Sequence, residues 1–331
     1  MTKPRPHAIL FFLIILSFLF FALSIAYGPV DIPFSTILKT LFGQEMAGTS
    51  WQIIHLARLP RSIAALLSGM ALSASGVILQ ATLQNPLAAP SLMGVNAGAG
   101  LAAMLLIAFF PTAYYLLPPV AFLGALGALF LTTIIAGTSG GSKASLLLSG
   151  VAVSALLGAA LDTIRTLKPD AIISASSFMI GGFSGVSWPI INFVLPWLTL
   201  AIIITTLTGP ILNILSLGDN TASSLGLNLK RTRILLMILA AVLAGGAVCL
   251  AGLLGFVGMI VPHTMRMLFG HDHRWLVPST ILWGGCFVLI CDLCSRILFA
   301  PYEIPVGIIL AFCGAPFFIF LIFQNRNMHE I

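Results

Sequence analysis

Residues 209–253, GPILNILSLGDNTASSLGLNLKRTRILLMILAAVLAGGAVCLAGL, set a long polar break directly before an unbroken apolar run. The run from Ile234 to Leu253 is about 20 residues, the length that crosses a bilayer core as helix. The break in front of it reads as two short helices at an angle. Ile211, Leu212, Ile214, Leu215 and Leu217 make one apolar ridge. Gly218 closes that turn, and Asp219 is placed to cap the next helix, where a carboxylate meets free N–H groups and the positive end of the dipole. Ala222, Leu225 and Leu227 make a second ridge that Gly226 ends. Lys230, Arg231 and Arg233 then mark the cytoplasmic side. A plain connector between membrane helices needs only a few polar residues. A connector with an apolar face turned to the cytoplasm suits a protein partner; the competing reading is an amphipathic segment lying in the interface.

The whole chain agrees with an all-α membrane protein. Hydrophobic residues make up 59% of its 331 residues and charged residues 7%, and the mean hydropathy is +1.10. Soluble domains carry roughly a quarter charged residues. The apolar runs are too long and continuous for a barrel, so the backbone must satisfy itself as helix. The net charge of +6 belongs to membrane orientation and gives no argument for nucleic acid. Cys291 and Cys294 form a C-x-x-C inside an apolar run with no second pair, so small packing residues are expected there, and no resident metal or cofactor.

About ten spans follow, with both termini cytoplasmic. They are Ala8–Tyr27, Ser62–Leu83, Leu92–Phe110, Tyr114–Ala136, Ala144–Thr166, Ile190–Leu207, Ile234–Leu253, Leu254–Phe269, Trp275–Leu298 and Ile304–Phe323. The eighth is short and interrupted by Pro262. Gly28–Ala57 and Leu167–Pro189 read as polar outer segments. Trp188, Trp197 and Trp275 read as interfacial anchors. Lys3, Arg5, Lys143, Lys230, Arg231, Arg233, Arg266, Arg274 and Arg326 fall inside. Lys39, Arg58, Arg61, Arg165, Lys168 and Arg296 fall outside, against the usual bias, and need a reason of their own. A loose echo between residues 68–80 and 244–258, both dense in small residues, reads as close helix packing or as the trace of two related halves.

Four segments carry a resemblance: RLPRSIAALLSGMALSASGVILQATLQNPLAAPSLMGVNAGAG (58–100), GDNTASSLG (218–226), GFVGMIVPH (255–263) and DLCSRILFAPYEIPVGIILAFCGAPFFIFLI (292–322). Together the chain resembles the permease family of binding-protein-dependent ABC importers for iron–siderophore complexes, haem and cobalamin. The resemblance implies one membrane domain over 1–331 with the fold of a cobalamin-importer permease. It implies a second permease subunit, two cytoplasmic ATPase subunits and an extracytoplasmic binding protein. Residues 209–233 then correspond to the coupling helices, with Leu217, Gly218, Asp219, Ala222, Leu225 and Gly226 on the family pattern. Arg58, Arg61 and Arg296 fall where relatives present arginines to acidic residues of the binding protein; snorkelling to phosphates is the alternative. The turn Gly137–Ser145 and the helix after it correspond to the inner gate. Gln80, Asn85, Ser142, Ser145 and Ser149 are the candidates for the translocation path, although serines at helix contacts and amides beside Pro86 have ordinary structural uses.

Other classes fit less well. An ion-driven carrier needs intramembrane carboxylates, and Asp162 and Asp292 are the main candidates, both towards outer helix ends; Asp292 is also four residues before Arg296 and able to pair with it. No H-E-x-x-H or P-loop supports an enzyme, so ATP is expected to be hydrolysed by a separate chain. His263 reads as a polar residue at a helix end, with a haem ligand as the alternative, and His271 with His273 is too sparse for a metal site.

Overall fold

The computed structural model describes residues 6–43, 47–138 and 142–328, and those residues form helices and turns without strands. Lys3, Arg5 and positions 139–141 of the inner turn lie outside the described residues. The helices are α1 (Pro6–Ala26), α2 (Phe34–Leu41), α3 (Thr49–Gln52), α4 (Leu59–Leu83), α5 (Val95–Phe109), α6 (Leu117–Thr138), α7 (Lys143–Leu167), α8 (Pro169–Ile180), α9 (Trp188–Leu207), α10 (Gly209–Ser216), α11 (Asp219–Ser224), α12 (Leu229–Ala251), α13 (Val257–Phe269), α14 (His273–Ile297) and α15 (Val306–Met328). Among the described residues seven helices are long and apolar enough to cross a membrane; α5 and the apolar part of α15 are shorter.

The helices form an inner and an outer layer. In the continuous helix 49–83, 83% of the most apolar stretch is buried, against 22% in α1 and 28% in α7. α4 is therefore the axis, and α12 and α14 flank it in the same layer. Small residues make that possible. A Cβ on Gly69 would lie 2.2 Å from the carbonyl oxygen of Gly284, and one on Gly76 would lie 1.9 Å from that of Gly258. α4 thus touches α14 and the start of α13 backbone to backbone. Gly98 and Gly124 close α5 on α6 in the same manner. The Ser75 hydroxyl donates to Ala240 O at 2.7 Å and ties α4 to α12. Both small-residue stretches are packing surfaces.

Several sequence expectations change. Neither outer segment is plain loop: one holds α2 and α3, the other α8. α2 exposes Phe34 and Leu38 with the neighbouring Phe42, and buries Ile37 against Ile25 and Ile54. α12 starts at Leu229, so Lys230, Arg231 and Arg233 sit in its first turns. α13 has only 13 residues, about 20 Å of helix. It begins opposite Gly76, well below the outer end of α4, and is a partial crossing. Trp197 is no anchor; it packs in mid-helix on Phe122, ring centroids 4.9 Å apart, and on Gly246. Trp188 donates its indole N–H to His55 O at 2.7 Å, and Trp275 meets His7 edge-on at 4.5 Å. All five cysteines are free thiols.

The glycine contact at the axis gives a paired test. Gly76→Ala is expected to lower the melting temperature in detergent sharply, because overpacking of this kind costs about 1–3 kcal/mol or more. Gly127→Ala, where nothing lies within 4 Å, is expected to melt like wild type. Equal melting of the two variants would contradict the backbone contact.

Candidate functional site

The inner site is the hairpin α10–α11. Pro210 starts α10, and Gly218 (φ 100°) and Gly226 (φ 86°) take the left-handed turns that close each helix. The expected ridges split. Leu212, Leu215 and Ala222 pack inward, fully buried, whereas Leu217 and Leu225 are about 60% exposed. Ala222 is therefore a footing of the hairpin and not part of its free face.

Asp219 does not cap α11; Gly218 holds the N-cap position and Asp219 is the first helical residue. It accepts instead from Arg233 Nη2 at 2.7 Å, on α12, and from Lys143 Nζ at 2.8 Å, on α7. The hydrogen bond from Arg233, then that from Lys143, holds its carboxyl below the ordinary carboxylate range. A lowered value means the clamp is complete above the unfolded carboxylate pKa and fails only as pH falls through the lower folded one. α10 is fastened separately. Asn213 donates to Asp272 at 2.7 Å and accepts from His273 N at 2.8 Å, and the bond from Asn213 is the main reason Asp272 also sits below its usual range. Gln84, the left-handed cap of α4, donates to Leu215 O at 2.6 Å and accepts from Lys143 at 2.6 Å. The hairpin is thus tied to α4, α7, α12 and α14 by side chains, while its two exposed leucines are left uncovered.

The outer site is built on the last turn of α1, whose carbonyls have no helical partner. A π-helical turn, Ile53–Arg58, widens the backbone ahead of α4 and delivers Arg58 to them. Arg58 Nη1 donates to Ile25 O at 2.9 Å and Ala26 O at 2.7 Å, and Nη2 donates to Val30 O. Arg296 donates to Ser24 O, Tyr27 O and Ser24 Oγ. Two cations at a helix C-terminus complement its dipole. Arg58 and Arg296 are only 4% and 1% exposed. Both arginines are tied to the end of α1, which gives them the reason their topology lacked.

Arg61 differs. Its Nε pairs with Asp292 Oδ1 at 2.9 Å, and its Nη1 with Glu303 Oε2 at 2.5 Å. Asp292 is fully buried between Arg61 and Arg296, whose Nε lies 3.1 Å away. A carboxylate clamped by two guanidiniums, without solvent access, is unsuited to carrying an ion. Asp162 is exposed and paired with Arg165 at 3.0 Å. The three arginines, Glu303, Pro29, Val30, Ile53 and Ala57 line an open pocket of ≈ 240 Å³ at the outer end of the bundle. Glu303 had no signal in the sequence, because its partner is 242 positions away.

The path candidates are mostly engaged within the chain. Gln80 is buried, donates to Gly258 O at 3.2 Å and accepts from Arg266 at 2.9 Å. Asn85 Oδ1 accepts from Leu87 N in a local turn. Ser142 caps α7 by accepting from Ser145 N, and Ser145 Oγ donates to Ala136 O at 3.3 Å. Ser149 is buried beside Gly150, which packs on Leu92 O. Among the described residues, no three His, Cys, Asp or Glu side chains gather as a metal set.

Comparison with known proteins gives one consistent result. Residues 13–324 match the model of the FecCD transport family. The hemin transport system permease protein HmuU of Yersinia pestis is 36% identical, covering 99% of each chain. The Fe(3+)-citrate import system permease protein YfmE of Bacillus subtilis (strain 168) is 36% identical over 98% of each chain. A solved structure described as an inward-facing metal-chelate type ABC transporter superposes with a TM-score of 0.84 at 31% identity, covering 96% of this chain and 99% of that one.

Asp292→Ala would leave Arg61 and Arg296 without their shared carboxylate. Breaking a buried pair by removing one partner costs about 3–5 kcal/mol, so a large drop in melting temperature is expected. Arg165→Ala, at an exposed pair, is expected to change it little. A small effect of Asp292→Ala would contradict the buried network.

Proposed function

The chain belongs to the FecCD transport family, and from that premise we propose that it is the membrane subunit of an ATP-driven importer for a chelated metal. It is a membrane protein of several spans, placed in the bacterial cytoplasmic membrane, and it is not itself the catalyst. Its cargo on this reading is a ferric siderophore, with haem or cobalamin as the alternatives. The named relatives carry hemin and Fe(3+)-citrate, and what those share is iron held in an organic chelate. One membrane domain spans 1–331, a second permease subunit completes the path, two cytoplasmic ATPase subunits supply the work, and an extracytoplasmic binding protein delivers the cargo.

The observation that carries the reading is the hairpin α10–α11. Leu217 and Leu225 are free to lodge in a groove of the ATPase. Movement of that groove is passed on by the Asp219 clamp to α7 and α12, and by Gln84 to α4. Arg61 and the pocket around it receive the binding protein; Arg58 and Arg296 serve that site by holding its frame. The uncovered face of α7, with Leu148, Val151 and Leu156, suits the second subunit. Ser145 and Ser149 remain the path candidates on that helix, and Gln80, Asn85 and Ser142 act as fastenings near it.

Asp219→Arg sets a third cation beside Lys143 and Arg233. The variant is expected to insert in the membrane and to bind its ATPase, but to lose transport-linked ATP hydrolysis by about tenfold or more, the scale of a lost charge-assisted pair. Vesicle assays with the reconstituted complex measure this directly. Wild-type coupling in that variant would overturn the assignment of the hairpin.

A further inference from the structure

The lining of the outer pocket sets Arg58, Arg61 and Arg296 against Glu303, with Asp292 buried behind Arg61 and Arg296 and Asp31 close enough to act on Arg58. The two carboxylates on Arg61 differ in kind. Asp292 is fully buried, lies on α14 and is shared by two arginines. Glu303 is 35% exposed and lies on the 298–305 connection between α14 and α15. It is held to Arg61 through a single oxygen at 2.5 Å. The same connection exposes Leu298, Phe299 and Tyr302, the last by 79%, apolar side chains of the kind that accompany charged anchors in protein interfaces.

We propose that Glu303 is a resident stand-in for a carboxylate of the delivering protein, and that docking replaces it on Arg61. This rests on the reading of the chain as an importer subunit fed by a binding protein. A guanidinium has two edges able to take a carboxylate. One edge of Arg61 is permanently filled by Asp292; the other is filled by a group that can leave at the cost of one partly solvated ion pair. An incoming Asp or Glu side chain restores that pair, so the exchange is close to neutral in charge and selects an acidic partner. Glu303 then gives up its hold on the 298–305 connection, which stays joined to α14 where Ile304 N donates to Ser295 O at 3.1 Å. That connection leads straight into α15, where Gly307 N donates to Gly181 O and Gly307 packs on Ile180 O at the end of α8. Arrival of the partner is therefore felt at the α8–α15 contact without any movement of Asp292 or α1.

The test measures binding of the extracytoplasmic binding protein encoded with this permease to the permease–ATPase complex in nanodiscs at low salt. Removing the competitor in Glu303→Gln is expected to tighten binding about tenfold, and Arg61→Glu to weaken it by at least as much, in line with measured couplings of close charge pairs. Glu303→Asp, with the charge on a shorter stem, is expected to fall between wild type and Glu303→Gln; it also serves if the Gln variant elutes as aggregate. Unchanged or weaker binding in Glu303→Gln, with Arg61→Glu still impaired, would overturn the exchange and leave docking at the pocket intact. Unchanged binding in Arg61→Glu would overturn the docking reading itself.

Discussion

Backbone-to-backbone contact along α4 is the constraint on which the rest of the structure depends. Gly69 against Gly284 and Gly76 against Gly258 leave no room for a single methyl group. Lipid gives helices no hydrophobic reason to associate, so close approach and dispersion must supply it. Once α4 is locked at the axis, its two ends become the two working ends of the molecule. Arg58 and Arg61 stand at its outer start, and Gln80 and Gln84 at its inner end. A rod fixed by glycine contacts over its length is suited to reporting at one end what happens at the other.

Charge is used sparingly and mostly indoors. Only 7% of residues are charged, and the outer arginines that violate the usual topology are largely structural. Arg58 and Arg296 satisfy the orphan carbonyls of α1, in a region where water cannot do so reliably. Arg61 alone is left between a buried carboxylate and a partly exposed one. At the inner face the same economy recurs: Asp219 draws α7 and α12 onto the hairpin with one carboxylate. Both working sites thus consist of one side chain with two partners from different parts of the chain.

The fold was largely legible because hydropathy in lipid is close to a direct reading of helix positions. The spans Ala8–Tyr27, Ser62–Leu83 and Ala144–Thr166 fall within a few residues of α1, α4 and α7. What was missed has physical causes. α2 and α8 are short, partly exposed helices without a spanning apolar run. α13 is half a crossing because Phe256 turns the chain at positive φ deep in the bundle. The hairpin was legible from Gly218, Gly226 and the basic residues after them. The use of Asp219 was not, since a carboxylate at a helix start looks like a cap until Lys143 arrives from 76 positions earlier. Burial of Arg58 and Arg296 was likewise hidden, because their acceptors are backbone carbonyls, which every sequence contains.

At the centre of the proposed function stands a division of labour, in which this chain conducts while another chain hydrolyses ATP and a third captures the cargo. Uptake of a ferric siderophore into proteoliposomes tests it most directly, comparing the permease with its ATPase and binding protein plus ATP against the permease alone under a proton or sodium gradient without nucleotide. Accumulation in the first case only is the predicted result. Concentrative uptake by the permease alone would contradict it.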